Sequence, residues 1–228
     1  EKLLEEKEEN KQLNAAFAHD LKNPLTIIKG ELSLLEIARE NEMLNKKMLV
    51  ESTDVIRNNL QRIEENIDAM NKAVKMELLC FMPEKVNYND LCNKIKAHCL
   101  LLLNDSNVKI KFQFEESERE EIRVEYNMLH RIIENVVLNS ARYAQKIYVK
   151  VYLEGVCLNI VVQDNGPGFS SDVLNNGIHP FIRGTHNNDN HFGMGLYICK
   201  VLCQKHNGDF TIMNSDEGAL CHIRLKIM

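Results

Sequence analysis

The chain has 228 residues, of which 44% are hydrophobic and 27% charged, with a formal net charge of −5. That length suits one large domain or two small ones, and the apolar fraction can build a core. The acidic balance supplies no positive field to gather phosphates, which argues against a general nucleic-acid binder. No apolar run of about 18 residues is present to cross a membrane.

In chain order, the spacing predicts a first helix over residues 1 to about 38. It opens on the charged run EKLLEEKEENKQL, a solvated or coiled-coil face. Leu13, Phe17, Leu21, Leu25, Ile28, Leu32 and Leu35 then recur at spacings of 3 and 4, the apolar stripe of a core-facing helix. Inside this pattern, FAHDLKNPLTIIKG sets Pro24 shortly after His19. His19 falls roughly 200° around the helix from Phe17, away from the stripe. Pro24 lacks a backbone donor and crowds the carbonyl of Asp20, so the helix is expected to bend or loosen beside His19. Taken alone, these residues fit either a surface histidine near a tolerated kink or a reactive imidazole.

After the polar RENEMLNKK, a second helix is expected from about 45 to 79. Its stripe is Ile56, Leu60, Ile63, Ile67, Met70 and Val74, which is heptad-like. A lone hairpin can cover only part of two such stripes, so a homodimer closing a four-helix bundle is the economical arrangement. Packing of both stripes on the rest of the chain is the alternative. FMPEKVNYN, marked by Pro83, reads as a linker over 81–88.

Beyond it the pattern changes. A helix is expected over 90–103, a strand over 108–114 and a helix over 126–144. Strands follow over 147–153 and 156–163, separated by a turn at Glu154-Gly155. Residues 171–192 are polar and loop-like. A helix over 194–206 and strands over 210–214 and 219–228 complete the chain. This is an α+β sandwich with helices on one face of a mixed, largely antiparallel sheet. The expected domains are 1–80, a helical hairpin, and 89–228, the sandwich. The seven cysteines include no C-x-x-C pair and mostly sit in apolar contexts, as reduced core thiols do. Cys199, Cys203 and His206 share a helix face, but a metal reading lacks a fourth ligand.

Three pieces of the second domain carry chemistry. In NVVLNSARY, Asn135 and Asn139 project from one helix face. They are either a wet helix face or neutral oxygen ligands for a hard cation. In DNGPGF, Asp164 ends a strand, with Gly166 and Gly168 allowing close approach of a flat ligand. It is either an ordinary turn or an acceptor for an exocyclic amine. In GMGLYICK, Gly193 and Gly195 precede a helix whose free amides suit phosphate oxygens, with Leu196 in the first turn. Neither a P-loop nor a Rossmann fingerprint is present. FIRGTHNNDNHF ahead of it has the composition of a lid, and Arg183 could reach a terminal phosphate.

In their order and spacing these pieces resemble the asparagine box, the two glycine boxes and, at HPFIRG, the phenylalanine box of sensor histidine kinases. That family belongs to the ATP-binding fold of gyrase and MutL. FAHDLKNPLT resembles its phosphoacceptor box, so the likeness runs from about Asn14 to the end. The resemblance implies a dimeric phosphotransfer hairpin followed by a Bergerat-type ATP-binding domain, with ATP and Mg2+ as cofactors. It implies that His19 takes the phosphoryl group, that Asp20 orients or deprotonates it, and that Asn23 positions water in a phosphatase reaction. It further implies Asn139 as the Mg2+ ligand, with Asn135, Arg142, Tyr143, Asp164, Gly166, Gly168, Arg183, Gly193, Gly195 and Leu196 at the nucleotide. Arg142 stands where the family often has Lys. The implied partner is an aspartate on a response-regulator receiver domain. Neither nucleic acid nor membrane is expected to touch this fragment, which begins with Glu1. The resemblance places it as the cytoplasmic portion of a bacterial plasma-membrane protein. A hydrolytic ATPase of the gyrase type is the rival, as is a nucleotide-binding dimeric scaffold. The hydrolytic enzymes carry a glutamate four residues before the magnesium asparagine, where this chain has Asn135.

Overall fold

Helix α1 (Lys2–Glu40) and helix α2 (Lys46–Glu77) are joined by residues 41–45. The computed structural model describes residues 2–77, 81–178 and 194–227, and the chain divides into two compact units between Val74 and Lys75. Asn45 starts α2 by accepting the Met48 amide at 3.0 Å on its side-chain oxygen, as a cap does. The loosening expected beside His19 does not interrupt α1, which runs unbroken through Pro24. The proline ring is buried, in line with the half-buried Phe17, Leu21 and Ile28. Its packing offsets the hydrogen bond it cannot make.

The two stripes divide. Leu25 and Leu32 of α1 stay 45% and 48% exposed, and Leu60 and Ile67 of α2 stay 49% and 43% exposed. Ile56 and Ile63 are half-buried. Among the described side chains of α2 the buried positions are instead Ser52, Asn59 and Asn66, seven residues apart. Asn59 tolerates burial because its Nδ2 donates to Val55 O at 2.8 Å within its own helix.

The second unit contains β1 (Glu84–Asn87), α3 (Tyr88–Leu102), β2 (Lys109–Phe114), β3 (Glu121–Val124) and α4 (Tyr126–Tyr143). It continues with β4 (Lys146–Glu154), β5 (Cys157–Asp164), α5 (Ser171–Asn176), α6 (Gly195–Lys205), β6 (Asp209–Asn214) and β7 (Ala219–Lys226). The main sheet has the order β2-β4-β5-β7-β6. Its β2–β4 pair is parallel and its other pairs are antiparallel. Most of the expected linker is structured: Glu84–Asn87 pairs antiparallel with β3, and Asn87 caps α3 by accepting the Asn89 and Asp90 amides. The partner strand lies almost forty residues on, so local pattern could not show the pairing. Helix α5 likewise occupies the start of the stretch expected to be loop.

Strands β4 and β5 alternate, so Val149, Val151, Leu158 and Ile160 face one side and are buried with Ile223 and Leu225 of β7. Helices α3, α4 and α6 contribute Leu91, Ile95, Leu129, Ile132, Val136 and Leu202 to the same core. The thiols of Cys199, Cys203 and Cys221 lie within it, and burial pushes all three far above the ordinary thiol value. They keep their protons and pack as apolar groups, whereas metal ligation needs the thiolate.

Three histidines are held below the ordinary histidine value of 6.5. Burial is the main cause for His206, for His98 (whose ring stacks on His130 at 3.4 Å between centroids) and for His222. The folded state therefore binds fewer protons than the unfolded chain once pH falls below about 6.5, and stability is lost in that direction. The thermal midpoint of the protein should fall between about pH 7.5 and pH 5.5, and His98→Asn should make that fall shallower. A midpoint independent of pH over this window would contradict the assignment.

Candidate functional site

Helix α4 is amphipathic in a way that sets the site. Leu129, Ile132, Ile133, Val136, Val137 and Ser140 are buried. The remaining face carries the half-buried Asn135 and Asn139 and, in the last turn, the exposed Arg142 and Tyr143. Glu125 caps its start by accepting the Met128 amide at 2.6 Å. Asn135 donates its Nδ2 to Arg131 O at 2.9 Å, with Oδ1 toward the start of α6. A Cβ at Gly195 would lie 3.4 Å from that oxygen, so the start of α6 abuts Asn135. Met194, the N-cap residue of α6, makes no side-chain capping bond among the described residues. Leu196 is half-buried against the core.

At the other end of α4, the β5 terminus closes on Tyr143. A Cβ on Gly166 would lie 3.1 Å from both Tyr143 O and Asp164 Oδ1. Asp164 is only 6% exposed. Its Oδ1 accepts the Gly166 amide at 2.9 Å and the Ala219 amide at 3.3 Å. Both bonds fall on one oxygen, and Oδ2 receives neither. Gly168 has φ +80, and a Cβ there would come within 2.7 Å of Asn214 Oδ1, so only glycine fits.

The structure thus brings Asn135 to Gly195, and Tyr143 to Asp164 and Gly166. Asn139 lies one turn along α4 from Asn135, on the same face. His19, Asp20 and Asn23 lie together on α1, in the other unit. Asn23 is exposed, and the side chains of His19 and Asp20 fall outside the described residues. Arg183 and Gly193 also fall outside them. Sequence reasoning missed Asn165, whose Oδ1 accepts the Gln145 and Lys146 amides at 3.0 and 2.7 Å, tying the loop to the end of α4. It also missed Gly218, where a Cβ would meet Asp164 O at 2.5 Å, and Asn214. Their partners lie 19 to 54 residues away, and the only signals were the turn-like DNG and DEG triplets.

Comparison with known proteins matches this geometry to a class. Residues 107–227 match the family described as "Histidine kinase-, DNA gyrase B-, and HSP90-like ATPase". Residues 9–78 match the "His Kinase A (phospho-acceptor) domain". The chain belongs to this ATPase family and, with the phosphoacceptor domain ahead of it, to the histidine kinases. It is 28% identical over 228 residues to the sensor histidine kinase SpaK of Bacillus subtilis, covering 97% of this chain and 48% of that protein. It is 24% identical to the nisin biosynthesis sensor protein NisK of Lactococcus lactis, covering 93% and 47%. The chain spans about half the length of these curated relatives. Among solved structures, the histidine kinase ThkA in complex with the response regulator protein TrrA aligns with TM-score 0.63 and 17% identity. That alignment covers 99% of this chain and 66% of ThkA, and it supports the shared fold.

Gly168→Ala should destabilise the second unit by about 1–3 kcal/mol, because both the left-handed backbone and the Asn214 contact oppose a methyl group. Chemical denaturation measures this, and an unchanged midpoint would contradict the reading.

Proposed function

We propose that this chain is the catalytic portion of a two-component sensor histidine kinase. In this reading it transfers the γ-phosphoryl group of ATP to His19 and then to an aspartate of a response-regulator receiver domain. The observation that carries the reading is the arrangement of polar groups along the open face of α4. A buried carboxylate whose two amide bonds both fall on Oδ1 lies at one end, and the start of α6 beside an asparagine oxygen lies at the other. Asn135 and Tyr143 are eight positions apart, about 12 Å along the helix, which matches the span from base to phosphates of a nucleotide.

The donor set fits ATP. Asp164 Oδ2 accepts the adenine amine, and Gly166 keeps the backbone flat beside the ring. Tyr143 lies against the nucleoside, and Arg142 at the helix end supplies positive charge near the phosphates. The first-turn amides of α6, at Gly195 and Leu196, receive phosphate oxygens, with Gly193 preceding them. Asn139 would hold Mg2+ through its neutral carbonyl oxygen, and the bound ion would neutralise phosphate charge. Arg183 completes the phosphate contacts. On α1, Asp20 orients the His19 imidazole and accepts its other proton, so the attacking nitrogen is unprotonated. Asn23, one turn beyond His19, positions the water that hydrolyses the receiver's aspartyl phosphate. The domains assigned are 1–80 for phosphotransfer and 89–228 for catalysis, with the interdomain linker ending before β1.

The hydrolytic alternative lacks its base. Four residues before Asn139 stands an amide whose Nδ2 is committed to Arg131 O, so no carboxylate is there to activate water. The dimer rests on the uncovered Leu25, Leu32, Leu60 and Ile67, which a second copy would bury in a four-helix bundle. Among the described residues no helix is long and apolar enough to cross a membrane. Anchoring of the whole protein, with this portion on the cytoplasmic side of a bacterial plasma membrane, is assigned to segments outside this sequence.

Incubation with labelled Mg-ATP should give acid-labile, base-stable label that is absent in His19→Ala and passes to a receiver domain. Phosphate release without His19-dependent label would establish the hydrolytic ATPase instead. Leu60→Glu combined with Ile67→Glu should convert a dimer to monomer in sedimentation, and a dimer that survives both changes would refute the bundle interface.

A further inference from the structure

We propose that Asn214 is a positioning residue for the nucleotide, acting through the loop that carries Asp164, Gly166 and Gly168; this rests on the nucleotide site proposed above. Asn214 ends β6, well away in sequence from that loop. Its Oδ1 accepts the Phe169 amide at 2.7 Å, and its Nδ2 donates to Phe169 O at 2.9 Å. One side-chain amide therefore satisfies both backbone groups of Phe169, as a neighbouring strand would. The turn before it is held against the same side chain, since the closest atoms to a Cβ at Gly168 all belong to Asn214.

The geometry closes a circuit. Asn214 pairs with Ala219 across the β6–β7 hairpin. The Ala219 amide bonds Asp164 Oδ1. One end of the 164–169 loop is thus tied to the hairpin at Ala219 and the other at Asn214. Between these ties the loop has no regular secondary structure to fix it. Asp164 by itself is held by its own strand. What Asn214 decides is the path of Gly166 to Phe169, and hence how close the backbone can lie to a flat base. Asn214 is itself exposed, and among the described residues its side chain bonds the Phe169 backbone, so its effect is on binding and not on transfer.

Asn214→Ala should therefore weaken ADP affinity in calorimetric titration of the whole chain by about tenfold, the loss of two exposed hydrogen bonds. The KM for ATP in His19 phosphorylation should rise by a similar factor, while kcat at saturating ATP stays within about twofold. The Phe169 amide should exchange with deuterium faster without nucleotide present. Met213→Ser, on the same strand and 47% exposed, should change none of these, and it controls for loosening of β6. Gly168→Ala should weaken ADP binding less in the Asn214→Ala background than in the wild type, because the side chain it collides with has gone. Unchanged ADP affinity in Asn214→Ala would overturn the proposal, as would an equal loss in Met213→Ser or a fall in kcat with KM unaltered. A wild-type chain that binds no ADP would instead sink the nucleotide-site reading on which the proposal rests.

Discussion

Two backbone amides converge on a single oxygen of Asp164, and the layout of the candidate site follows from that contact. Gly166 N comes from the loop just after the aspartate, and Ala219 N from the start of β7. The second is available only because β7 lies beside β5 in the sheet, an adjacency made across more than fifty residues. At 6% exposure the side chain has little water to satisfy it, and these two amides take that place. With both bonds on Oδ1 it remains a directional acceptor through Oδ2. Sheet order thus acts directly on the chemistry of one side chain.

Helix α4 translates core packing into ligand geometry. Its apolar residues are locked over the sheet by burial of Leu129, Ile132 and Val136, each about 1% exposed or less. The helix cannot rotate without exposing them, so Asn135 and Asn139 keep their orientation, and Asn135 is further held by its bond to Arg131. Asn165, bonded to Gln145 and Lys146 just past the helix, fixes the end at which Tyr143 sits. A helix held along its length and tied at its terminus makes a rigid floor, the condition for placing a ligand without reorganisation.

The helical unit is organised on a different principle. Its buried line on α2 is polar, Ser52, Asn59 and Asn66, while the apolar Leu60 and Ile67 stay largely exposed. Buried asparagines at heptad spacing specify register at some cost in stability. Apolar residues left on the outside gain most from a second surface. A hairpin arranged this way is marginal alone and gains most when a second surface covers it.

The sequence alone determined most of the element types, β1, β3 and α5 excepted, and the division into hairpin and sandwich, and it offered the candidate site residues as separate pieces. These rest on local physics: a period near 3.6 for α1, α2 and α4, alternation in β4 and β5, and glycines where the chain must turn. It also pointed to Asn135, Asn139 and Asp164, because polar residues interrupting or ending apolar runs stand out locally. Tertiary structure alone decided that β1 leaves the expected linker to pair with β3, that Pro24 packs into the helix without breaking it, and that α2 buries asparagines in preference to leucine. It alone recruited Asn165, Asn214 and Gly218. The pairing of β1 and the contacts of Asn165, Asn214 and Gly218 depend on partners well along the chain, and a pairing made by two distant backbones leaves no periodic trace in either segment.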